Sequence, residues 1–93
     1  MTAEQFNTKW ADHIPKGYYG LEFDIPQLTE LIDKTVTGWV EVFPKMTIKQ
    51  IKLKFGMARV YVSLDTERLP EHNQFTGDLE EKINKLLANL GGE

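Results

Sequence analysis

The side chains best equipped for chemistry in this sequence are Lys49, Lys52, Lys54, Arg59 and Tyr61, and they suit holding an anion rather than breaking a bond. From Val42 to Leu64 stand five basic residues, these four cations and Lys45, and no acidic one. The whole chain carries a formal −3, so everything outside this stretch sums to −8. Such polarity would steer an anionic partner to the stretch, or dock the chain's own acidic helices onto it. Tyr18, Tyr19 and Tyr61 could add ring faces of the kind on which single-stranded nucleic acid stacks. Aromatic residues also fill cores and cap sheets, however, and an acidic chain weakens the nucleic acid reading.

Catalytic chemistry is poorly supplied. Ser63 is the sole serine and lies inside an expected strand, cysteine is absent, and neither His13 nor His72 belongs to a nucleophile motif. His72, beside Glu71 and six residues before Asp78, fits neither one helix face nor a zinc pattern. His13 follows Asp12 and reads as a residue at a helix end. Glu80 and Glu81 point to different helix faces and form no acid and base pair. No glycine-rich phosphate loop is present, since Gly17 and Gly20 flank tyrosines and Gly91 and Gly92 stand at the end of the sequence. The expectation is a non-enzyme with no catalytic residue, cofactor or metal site.

The element that must position the cations is Ile48 to Leu64, IKQIKLKFGMARVYVSL, which reads as a β-hairpin turning at Gly56. Ile51, Leu53 and Phe55 alternate with Gln50, Lys52 and Lys54, and Ala58, Val60, Val62 and Leu64 alternate with Arg59, Tyr61 and Ser63. A two-residue loop of Gly56 and Met57 pairs Phe55 with Ala58, Leu53 with Val60 and Ile51 with Val62. It also sets Lys54 opposite Arg59 and Lys52 opposite Tyr61. A slip of one residue would mix apolar and charged faces, whereas a longer loop that slips by two keeps them apart. Like charges placed opposite each other are destabilising. The Lys54 and Arg59 pair therefore points to an anionic neighbour, or else to a face that solvent or a helix screens.

Around the hairpin, Thr2 and Gln5 have capping-box spacing, and Ala3, Phe6 and Trp10 recur at helical intervals, predicting a helix over Ala3 to His13 that Pro15 ends. YYGLEFD, with Tyr19, Leu21 and Phe23 on one face, reads as a third strand. Asp24 suits the N-cap of a second helix, with Pro26 in its first turn. Leu28, Leu31, Ile32, Thr35, Val36, Trp39 and Phe43 form its apolar stripe, Gly38 offers a break, and Pro44 stops it. Pro70 can open a last helix, whose buried face would be Phe75, Leu79, Ile83, Leu86 and Leu90, and Gly91 suits its cap.

At 93 residues, with 41% hydrophobic and 27% charged residues, the chain reads as one soluble α+β domain over residues 1–93. Its antiparallel hairpin, extended by a third strand, packs against two or three helices in the order α-α-β-β-α. The lack of cysteine, of a membrane-length apolar run and of a signal peptide points to the cytoplasm and to no membrane partner. Gln50, Ile51, Lys52, Lys54, Phe55, Gly56, Arg59 and Tyr61 fit the pattern QIK-x-KFG-x-x-R-x-Y. With YYGLEFDIP ahead of the second helix, this resembles a family of small proteins encoded by phages and prophages. The resemblance spans Tyr18 to Val62 and implies a phage or prophage accessory protein, with no activity to transfer. The leading expectation is an interaction module that binds a protein partner through Lys49, Lys52, Lys54, Arg59 and Tyr61. The alternatives are nucleic acid on the same face, or self-association of the basic hairpin with an acidic helix of a second copy.

Overall fold

A computed structural model describes residues 1–64 and 73–90. Helix α1 (Ala3–Lys9) is followed by a 3-10 turn at Ala11–His13, strand β1 (Gly20–Leu21), helix α2 (Pro26–Val42), strands β2 (Thr47–Lys54) and β3 (Met57–Ser63), and helix α3 (Gln74–Leu90). The α+β class stands, but the order gains a strand between the first two helices. That strand is short and pairs with β2 in parallel, so the sheet is mixed, in the order β1-β2-β3. Parallel neighbours need a crossover, and α2 supplies it. Pro70, Glu71, His72 and Gly91 lie outside the described residues.

The hairpin forms with its faces as expected and its register displaced by two residues. Ile51 pairs with Val60, Leu53 with Ala58 and Lys52 with Arg59, while Lys54 meets Met57 and Gln50 meets Tyr61. The cause lies in the turn, which Phe55 and Gly56 make with φ of 54° and 75°. Two successive positive φ angles define the type I′ turn that matches the twist of a tight hairpin. Centring it one residue earlier moves every pair from Lys54 back to Gln50 by two, and that slip preserves the inward and outward sets. Phe55 consequently leaves the apolar face for the tip.

One face of the sheet is core. Ile48, Ile51, Ala58, Val60 and Val62 are buried against Leu28, Ile32, Val36 and Trp39 of α2 and Leu79 and Ile83 of α3. Helix α2 runs unbroken through Gly38 to Val42. On α3 the middle of the expected stripe is buried, with Thr76 beside it, whereas Phe75 and Leu90 are exposed. Phe75 instead meets Phe43 edge to face at 5.7 Å, joining the start of α3 to the end of α2.

Helix α1 has the expected capping box of Thr2 and Gln5 but ends at Lys9. The Trp10 indole N–H then donates to Asp33 of α2 at 2.9 Å, and Lys9 pairs with the same carboxylate. Asp24 does not cap α2, whose N-cap is Ile25 without a side-chain bond; its carboxylate accepts the N–H of Ala3 instead. His13 closes the 3-10 turn by donating from Nδ1 to the Met46 carbonyl at 2.9 Å.

Helix side chains occupy backbone groups on both outer strands. Asn7 Oδ1 accepts the Leu21 N–H at 2.8 Å and its Nδ2 donates to the Leu21 carbonyl at 3.0 Å. On the far side, Asn84 Oδ1 accepts from Ala58 and Glu80 Oε2 from Val60, each at 2.8 Å. An unpaired edge is a template for another strand, and these contacts occupy part of each edge. The side of the sheet turned away from α2 and α3 is an open face.

Candidate functional site

That face carries Gln50, Lys52 and Lys54 of β2 and Arg59 and Tyr61 of β3, opposite the side that the helices bury. Strict alternation would put Lys49 with Ile51 in the core. The ladder is irregular between Ile48 and Gln50, so that Ile48 and Ile51 are both buried although three residues apart. A bulge re-aims the side chains around it. Here it brings Lys49 to the open side, where it lines one groove with Gln50 and Lys52.

The groove has a volume of about 370 Å³ and is completed by Tyr18, Tyr19 and Tyr61. A turn closed by the Tyr18 N–H on the Pro15 carbonyl, at 3.0 Å, presents the first two rings. The Tyr19 N–H then bonds the carbonyl of bulge residue Lys49 at 3.1 Å, fastening the turn to β2. Gly20, at φ 65°, reverses the alternation so that Leu21 enters the core and Tyr19 stays outside. A Cβ at Gly20 would collide with Asn7 and with Ile14 Cδ1. The sequence reading of a continuous face of Tyr19, Leu21 and Phe23 is corrected by this one residue.

Tyr18, Tyr19 and Tyr61 are 48%, 68% and 38% exposed, so none of them fills the core. The Lys49 ammonium lies 5.7 Å from the Tyr18 ring centroid, and that of Lys52 lies 5.9 Å from the Tyr61 centroid. At such distances a cation is drawn to the ring quadrupole. Gln50 donates to Glu22 at the groove's margin. Among the described residues, no ion pair forms on Lys52, Lys54 or Arg59. Lys52 and Arg59 nevertheless face each other across the ladder, a like-charge pair costing a few tenths of a kcal/mol or more, up to about 1.

All five residues singled out in the sequence thus belong to one face, with Lys49, Lys52 and Tyr61 in the groove and Arg59 and Lys54 continuing toward the tip. Sequence reasoning put Gln50 on this face but left it out of the binding surface, and it missed the bulge, whose signal was the three-residue spacing of Ile48 and Ile51. It also missed Phe55 as an exposed residue, since alternation places it inward. The arrangement supplies cations for phosphate or carboxylate oxygens and rings for flat apolar groups. Ser63 is far along β3 opposite Thr47, and the His13 ring is committed to Met46. Among the described residues, no group of three His, Cys, Asp or Glu side chains could hold a metal, and no helix is long and apolar enough to cross a membrane.

Compared with known proteins, the chain matches no family model, no curated protein and no solved structure.

Proposed function

We propose that this chain is a non-catalytic binding module that holds single-stranded nucleic acid on the open face of its sheet. The observation that carries this is the groove in which Tyr18, Tyr19 and Tyr61 stand beside Lys49 and Lys52. Ring faces accept unpaired bases whatever their sequence, and the cations track the backbone. Two features support it over a solvated surface: the helices lie on the opposite face, and the Lys52 and Arg59 charges, without an ion pair among the described residues, repel each other until an anion neutralises them. Duplex nucleic acid offers no free base faces to the tyrosines. The phage or prophage setting is what the sequence resemblance implies.

Fluorescence anisotropy with labelled single- and double-stranded oligonucleotides, from low to physiological salt, tests the reading. Engagement of Lys52, Lys54 and Arg59 predicts a slope of log affinity against log salt of about −2, at roughly 0.7 per phosphate contact on a single strand. Preference for the duplex, or no binding at low salt, would reject it. A second reading, an acidic segment of a protein partner, draws support from the exposed tyrosines and the half-buried Arg59 beside them, residue types enriched at protein interfaces. A Glu-rich peptide that binds the face when oligonucleotides do not would favour it.

A further inference from the structure

The hairpin tip breaks a local rule. Phe55 occupies the first central position of the turn at φ 54°, where Asn, Asp or Gly is preferred, and its side chain is 90% exposed. Neither backbone geometry nor packing of this chain explains an aromatic there. Its surroundings resemble the groove in miniature, because the Lys54 ammonium lies 5.8 Å from the Phe55 ring centroid and Met57, opposite Lys54, is half exposed. Arg59, which faces the groove residue Lys52 across the ladder, lies between the groove and the tip. Cations and rings therefore follow one another along the open face from Tyr18 and Tyr19 through Tyr61, and Lys54 joins that face to Phe55 at the tip.

We propose that Phe55 is a second stacking platform, so that the bound strand runs along the sheet from the tyrosine groove to the tip. The proposal rests on the single-strand reading above and adds direction and length to it. Five residue steps lead from Gln50 to Phe55, about 17 Å at roughly 3.3 Å per residue. At about 3.4 Å per stacked nucleotide, roughly five nucleotides bridge the two platforms. Shorter strands occupy the groove alone. Backbone strain at functional positions is a recognised pattern, and here it holds an aromatic ring out in solvent.

The test compares wild type with Phe55→Asn, Phe55→Leu and Phe55→Trp over oligothymidylates of 3, 4, 6, 8 and 12 nucleotides at low salt. Asn suits positive φ, so the first variant keeps or strengthens the fold while removing the ring. Wild type should gain affinity in a second step near six nucleotides, by about tenfold, within the range measured for one stacked base. Phe55→Asn and Phe55→Leu should lose that step and bind the shortest strands as wild type does, and Phe55→Trp should keep it. Equal affinities of wild type and Phe55→Asn at every length would overturn the second platform and leave the single-strand reading standing. A loss as large at three nucleotides as at twelve would also overturn it, by making Phe55 act through the shape of the groove. No binding of wild type at any length would reject both readings together.

Discussion

Along β2 and β3, Ile51 faces Val60 with both essentially buried, and one residue further on Lys52 faces Arg59 with no ion pair on either among the described residues. The two pairs share a backbone and a ladder, and they differ in what lies beyond the side chains. The first pair meets α2 and α3, and burial of each side chain contributes about 1.5–3 kcal/mol. The second meets solvent, and by itself contributes repulsion. One face of this sheet is thus explained by folding, whereas the other spends a little stability on charge and exposed aromatic rings. Such local inconsistency is expected where a surface serves binding.

The contrast can be broken from the buried side first. Ile51→Ala should cost about 3 kcal/mol through lost burial and a residual cavity, seen as a lower urea midpoint with little change in slope. Gly20→Ala should cost about 2 kcal/mol, because it adds a Cβ at positive φ against Asn7 and Ile14, and it should also disturb Tyr19. Asn7→Ala leaves both backbone groups of Leu21 without their partner and should cost about 2 kcal/mol, with faster amide exchange at Leu21. On the open side the sign reverses. Phe55→Asn should raise stability by about 1 kcal/mol, read from the same urea curves. Lys52→Gln should shift stability by no more than about 0.5 kcal/mol, toward the stable side, while removing about 0.7 from the salt slope of oligonucleotide binding. A Lys52→Gln protein that unfolds as readily as Ile51→Ala would erase the distinction between the faces.

The faces of the hairpin were legible in the sequence because a period of two survives any even slip. Register was not, since the choice between turns at Phe55-Gly56 and Gly56-Met57 required a phenylalanine at positive φ, which propensity argues against. The helical stripe of α2 was legible through six apolar positions and Thr35, and tertiary packing carried it past Gly38. Strand β1 was readable as extended chain, but two residues cannot announce a parallel partner. Asp24 looked like the cap of the helix it precedes in sequence; the fold lends it to the N-terminus of α1. The cationic set was visible as a charge run, and Lys49 joined it in space only through the bulge. Tyr18 and Tyr19 were visible as rings, and Gly20 decided that they face outward.

The most direct test of the open face is an amide and side-chain NMR titration of the full chain with a twelve-nucleotide oligothymidylate at low salt. The account predicts shifts that saturate together at Tyr18, Tyr19, Lys49, Lys52, Arg59 and Tyr61, and leave Leu28, Ile32, Leu79 and Ile83 unmoved. Shifts confined to α2 and α3, or none at any oligonucleotide concentration, would contradict it.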